Sequence, residues 1–217
     1  APLAAPQVCA TPVFVNEFHY DNDSGDVGEF LEVAGPAGTD LTGWSLALYN
    51  GSNGTVYATV NLSGSIDDEG SGFGALAFPQ AGIQNGSPDG FALVNASAVV
   101  LQFLSYEGTF TATDGPANGM TSTDVGVSEP GNTPIGQSLQ LVGTGECYDD
   151  FTWTGPVTES PGSINSGQTF EGAPPAPIVI NEFIVTPTAS EAIELYNTTN
   201  SDIDVSGWTV DWSTGTG

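Results

Sequence analysis

The chain contains no lysine and no arginine, against 26 aspartates and glutamates and a single histidine, for a formal net charge of -26. No Lys or Arg ion pair can therefore form within it. Carboxylates that approach one another must repel, take up protons or share cations. Direct nucleic-acid binding is excluded, because phosphate recognition draws on cationic side chains. Docking on an anionic membrane surface is excluded on the same ground. No apolar run approaches the roughly 18 residues of a membrane span, so membrane insertion is not expected. With His19 the only histidine and no lysine, most general-base and nucleophile-activating arrangements are missing. Neither a Gly-x-Ser-x-Gly elbow nor a Gly-rich phosphate loop with its lysine occurs. The sequence is read as non-catalytic, and any catalytic domain would lie outside these residues.

Cysteine is nearly absent too. Cys9 and Cys147 are the only two, and in an oxidising compartment they are expected to form one disulfide closing a very long loop. The first residues are Ala1-Pro2-Leu3, which reads as a mature N-terminus after signal-peptide removal. The expected location is secreted, extracellular or at the cell surface, in a bacterium. Several Asn-x-Ser/Thr triplets, among them Asn53, Asn61, Asn95 and Asn197, would accept glycans only in a host with that machinery.

Apolar residues make up 39% of the 217 and aromatics 10%, enough to build a core rather than a disordered chain. The 29 glycines and 15 prolines suit short strands joined by tight turns. Strand-type runs recur at Val13–Phe18, Phe30–Val33, Trp44–Tyr49, Val56–Leu62, Ala75–Phe78, Phe91–Val94, Val99–Ser105, Ser138–Val142 and Phe151–Thr154. Turn dipeptides such as Asn50-Gly51, Asn85-Gly86 and Asp89-Gly90 punctuate them. No amphipathic helix stands out. The pattern predicts an all-β sandwich. Residues 1–12 read as an extended arm, 13–170 as the sandwich and 171–177 as a Pro-stiffened linker.

From 178 the text begins again. Val15-Asn16-Glu17-Phe18 recurs as Ile180-Asn181-Glu182-Phe183, and Glu29-Phe30-Leu31-Glu32 as Glu191-Ala192-Ile193-Glu194. Asp40-Leu41-Thr42-Gly43-Trp44 recurs as Asp204-Val205-Ser206-Gly207-Trp208. Three blocks in one order make an internal repeat, with 178–217 the incomplete start of a second copy.

An Asn-Glu-Phe strand, a Glu-x-x-Glu strand and a loop ending Gly-Trp resemble the lamin-tail domain. That resemblance implies an immunoglobulin-like β-sandwich and a non-catalytic interaction module. Phe18-His19-Tyr20-Asp21-Asn22, Glu32–Gly38, Phe103–Gly108 and Ala117–Asp124 resemble the version found in large secreted bacterial proteins. Some of those carry a separate endonuclease/exonuclease/phosphatase domain. Within the repeat, Trp44 is expected as a core anchor, and Glu17 and Glu32 as hydrogen-bonded structural carboxylates.

The densest acidic stretch holds Asp21, Asp23, Asp26 and Glu29, with Glu32 beyond. Hard oxygen ligands on a Gly-containing loop suit calcium, and these five are the candidate metal ligands. Spacing places Asp21, Asp23 and Glu32 at EF-hand positions one, three and twelve. Gly25 at five and Asp26 at six break that pattern, which leaves a non-EF calcium loop or a solvated turn. Asp67-Asp68-Glu69 and Asp149-Asp150 read as solvated, Asp89 as a turn residue and His19 as a structural histidine. Exposed aromatics such as Tyr57, Trp153 or Trp212 would serve a calcium-dependent glycan-binding module. The functional expectation is an extracellular structural or adhesive protein. It would self-associate, or bind another extracellular protein, by strand complementation into filaments. An accessory module of a secreted multidomain nuclease or other hydrolase is the alternative.

Overall fold

The computed structural model describes residues 9, 11–23, 25–171, 178–184, 192–197, 203, 205, 206, 208 and 209. Most of the expected arm, residues 172–177 of the expected linker, and Trp212 lie outside them. The chain divides into two units, Ala1–Gly172 and Ala173–Gly217.

The first unit is all-β. Its strands are β1 (Phe14–His19), β2 (Phe30–Pro36), β3 (Ser45–Asn50), β4 (Thr55–Asn61), β5 (Phe73–Pro79), β6 (Asp89–Val94), β7 (Val100–Tyr106), β8 (Thr123–Asp124), β9 (Gln137–Gly145), β10 (Phe151–Thr158) and β11 (Gln168–Phe170). One sheet runs β10-β9-β1-β2-β5, with β11 parallel to β9; the other runs β4-β3-β6-β7-β8. All nine expected strands are present. β8 and β11 were not expected; each is two or three residues long and lacks an alternating run of its own.

Side-chain alternation sends Val15, Phe18, Leu31 and Val33 of one sheet against Leu46, Leu48, Phe91, Leu93 and Leu104 of the other. The outer faces are covered as well. Ala47, Tyr49, Ala92 and Phe103 pack under Phe110, Ala112 and Ala117 of the loop after β7. Phe14, Ala34, Ala75 and Leu141 pack under Phe170. Double coverage explains why every residue of β1 and of β6 is buried.

The β1–β2 register shifts between Val15 and Glu17, placing a β-bulge at Asn16. The Val15 N–H donates instead to Gln102 Oε1 of β7, 2.7 Å away across the core. Cys9 and Cys147 are disulfide-bonded, 138 residues apart in sequence. No helix among the described residues is long and apolar enough to cross a membrane.

The second unit pairs β12 (Ile178–Ile184) with β13 (Ala192–Asn197), antiparallel. Its register shifts between Ile180 and Glu182, at the repeat position of the first bulge.

Asp89-Gly90 is a correction. These residues open β6 instead of forming a turn, and Asp89 is buried. A Cβ on Gly90 would sit 2.2 Å from the Leu104 carbonyl oxygen. This glycine thus serves close strand approach, a role that local sequence cannot distinguish from a hairpin turn.

Candidate functional site

The acidic loop joins β1 to β2 and is fastened from several sides. Asp21 N–H donates to Glu129 Oε2 at 3.0 Å, and Asp23 N–H to the Thr133 carbonyl at 2.9 Å. Burial, then the charge of Asp26, raises the Asp21 pKa. Glu29 accepts the Gly82 N–H at 2.7 Å; burial raises its pKa, and its Oε1 is buried without a hydrogen-bond partner. Asp26 Oδ1 accepts a long 3.4 Å bond from Asn22 N–H.

Glu32 belongs elsewhere. It is fully buried in the sheet and accepts from Asn16 Nδ2 at 3.0 Å and Gly162 N–H at 2.6 Å. The structure thus draws Asp21 and Asp26 together and commits Glu32 to a different set of partners. Among the described residues no three His, Cys, Asp or Glu side chains gather closely enough to hold a metal ion.

Beside the loop lies a buried polar knot. His19 Nδ1 is 2.9 Å and 3.0 Å from the two Glu129 oxygens, and its Nε2 is 2.7 Å from Asn22 Nδ2. Asn22 Nδ2 also donates to the Val27 carbonyl, so the ring is assigned as the neutral Nδ1–H tautomer. Burial disfavours the charged ring, but the Glu129 hydrogen bond and charge outweigh it and raise the His19 pKa. Glu129 also accepts the Tyr20 N–H, and its own N–H donates to the Tyr20 hydroxyl, which donates to Glu107. Tyr20 and Tyr106 stack with centroids 4.0 Å apart. His19 is structural, as expected. Its partner 110 residues away left no local signal.

The third polar set runs along the outer face of the sheet. Glu17 and Glu32 are direct cross-strand partners. Glu17 Oε1 accepts from the Ser138 hydroxyl, Gln140 Nε2 and the Ser160 N–H, and its Oε2 from the Ser160 hydroxyl. Glu69 accepts the Ile164 N–H at 2.9 Å and the Ala75 N–H at 2.8 Å. Asn165 Nδ2 donates to the Asn16 and Leu141 carbonyls. Three carboxylates therefore fasten the 159–170 strap to the sheet through its backbone N–H groups. Burial raises the Glu17 pKa and pushes that of Glu32 up to about 8, with the neighbouring Glu17 charge adding to it. Two such carboxyls side by side have the protonation behaviour of an acid–base pair. Both are 0% exposed beneath the strap. Glu69 is exposed, as expected, and is also a strap anchor; nothing in Asp67-Asp68-Glu69 announces that second role.

A cleft of about 360 Å³ lies at one end of the other sheet, lined by Asn50, Ser52, Asn85, Ser87, Pro88 and Asp89 among others. Tyr57 and Trp153, expected to be exposed, are not. Both are partly buried against the core; the Tyr57 hydroxyl accepts the Gln84 N–H, and Trp153 Nε1 donates to the Tyr148 hydroxyl. Trp44 is half-buried against the same core, consistent with an anchor. In the second unit the picture reverses: Ile180 is 58% exposed, Leu195 39% and Trp208 55%.

No protein-family model, curated protein or solved structure matches the chain.

Proposed function

We propose that this chain is a non-catalytic, extracellular β-sandwich protein of the immunoglobulin-like, lamin-tail-like kind, built in tandem and acting by association. The observation that carries this reading is the second strand pair. It repeats the register of β1–β2 while Ile180 and Leu195, at the positions of core residues Val15 and Val33, lie open to solvent. The sheet that covers those positions in the first unit is one this sequence itself builds, so the partner proposed is a second copy of the chain. The buried carboxylates add support, since each fastens a loop or strand.

Sedimentation velocity over a concentration series tests it, at low and high salt and with and without chelator. With a net charge of -26, association is expected to strengthen as salt screens repulsion. It should be lost in Ile180→Asp and Leu195→Asp. A protein that stays monomeric under every condition sinks the reading.

A second reading, an accessory module of a secreted multidomain nuclease or other hydrolase, has its own observation. The stretches resembling that version, Phe18–Asn22 and Phe103–Gly108, converge in one knot through Tyr20, Tyr106 and Glu107. Mass spectrometry of the native polypeptide decides this one. Several hundred further residues rich in His, Lys and Arg would favour it, and their absence would remove it.

A further inference from the structure

Four Asn-Gly pairs occur: Asn50-Gly51, Asn53-Gly54, Asn85-Gly86 and Asn118-Gly119. Such pairs are prone to an internal reaction. The glycine nitrogen loses its proton and attacks the asparagine Cγ, forming a five-membered succinimide. The side-chain nitrogen leaves as ammonia, and water then opens the ring to aspartate or isoaspartate. Glycine offers no side chain to hinder the approach. A hydrogen bond that holds the glycine N–H keeps the proton in place and fixes the peptide plane, so the nucleophile is withheld.

Three of the four glycine N–H groups are held in hydrogen bonds. Gly54 donates to the Asn50 carbonyl at 2.7 Å and Gly119 to the Ala112 carbonyl at 2.8 Å. The other two turns meet at one carboxylate. Gly51 donates to Asp89 Oδ1 at 2.8 Å, and Gly86 lies against the same side chain. A Cβ on Gly86 would lie 2.9 Å from Asp89 Oδ2, which shows how closely the second turn sits against it. Asp89 itself is buried, while Asn85 and Gly86 are exposed and Asn50 and Gly51 half-exposed, so water reaches both turns. At Asn50 the electrophile is already polarised, because its Oδ1 accepts from the Ser52 N–H and hydroxyl. Control therefore rests with the glycine nitrogen.

We propose that Asp89 is a guard residue: by holding the Gly51 N–H and packing against Gly86 it keeps Asn50 and Asn85, two latent self-modification sites, from closing to succinimide. Conversion would add a carboxylate at each turn of a chain that has no lysine or arginine to balance it. An isoaspartate would also reroute the backbone in both walls of the cleft that these turns line with Asp89. The inference is independent of the association reading.

The test ages the full chain at mildly alkaline pH, digests it with a Glu-specific protease or chymotrypsin, and counts isoaspartate at each site by mass spectrometry. Asp89→Ala is expected to speed conversion at both Asn50 and Asn85, at Asn50 by about ten- to a hundredfold, the rate equivalent of losing a hydrogen bond to a charged group. Asn53 and Asn118 should keep wild-type rates and serve as internal controls. Asp89→Asn, which keeps the side-chain volume and one acceptor oxygen, should give a smaller increase than Asp89→Ala. Asn50 and Asn85 converting no faster than the controls in Asp89→Ala overturns the proposal. Should that variant fail to fold, the wild-type chain decides. Hydrogen exchange at Gly51 as slow as in neighbouring strands, with conversion far slower than in urea, upholds it. Free exchange, or conversion at the unfolded rate, overturns it.

Discussion

The strand pairs β1–β2 and β12–β13 share a register and differ in their surroundings. Val15 pairs Val33 and Glu17 pairs Glu32; Ile180 pairs Leu195 and Glu182 pairs Glu194, with the skipped residue an asparagine both times. In the first pair Val15 and Val33 are 0% exposed; in the second, Ile180 is 58% exposed. Bulge and register are thus local properties of the Asn-Glu-Phe and Glu-x-x-Glu text, present whether the pair is buried or exposed. Burial is a non-local property, supplied to the first pair by β3, β6 and β7 on one face and by the strap on the other.

The sharpest break of this comparison is in the covered pair. Phe18 is fully buried among Tyr20, Phe91, Tyr106 and Trp153, so Phe18→Ala should cost about 3–5 kcal/mol in denaturant melts. A loss under about 1 kcal/mol would mean the core collapses around the gap.

Next comes the buried carboxyl. Burial sets the folded pKa of Glu32 at about 8, against an ordinary value of 4.5. Between those values the folded chain holds a proton that the unfolded chain has released. The stability contribution is therefore complete below the unfolded pKa and drains as pH rises towards the folded one. The expected fall is roughly a few kcal/mol across that window. Glu32→Gln, which cannot ionise, should remove that part of the slope; an unchanged profile would place the titration elsewhere.

Smaller effects probe the comparison directly. Val15→Ala should cost roughly 1–2 kcal/mol, the scale of the lost transfer energy of a buried valine. Ile180→Ala, at the same register position in the second unit, should stay within about 0.5 kcal/mol at low salt and low concentration, where the chain is monomeric, and cost more where copies associate. Equal losses at the two sites would mean that something covers the second face in solution. Glu194→Gln, on an exposed strand, is expected to be smallest, also within about 0.5 kcal/mol.

What the sequence disclosed follows the same division. Strands, repeat and the structural character of Glu17, Glu32 and His19 were legible, because alternation and short motifs record them. Glu129, Glu69 and Asp89 were not. Their partners lie 109, 95 and 38 residues away for the Tyr20, Ile164 and Gly51 N–H groups. An acidic residue that will receive a distant amide looks like any solvated acid. The five-residue calcium set came from proximity along the chain, and strand alternation is what turns Glu32 towards the strap. With neither lysine nor arginine present, backbone and side-chain N–H groups take the place of cations, and composition alone does not show where.

The Cys9–Cys147 bond also has a mechanical meaning. Tension applied to the chain ahead of Cys9 and beyond residue 171 passes through the sulfurs, bypassing every strand from β1 to β9. With the cysteines 138 positions apart, roughly 450–500 Å of contour length is withheld from extension. Only β10, β11 and their connections lie in the load path, so single-molecule pulling should give a short lengthening step without reductant and a long one with it. Equal steps would show that the bond does not carry the force. A chain so bridged yields a little under load and then holds.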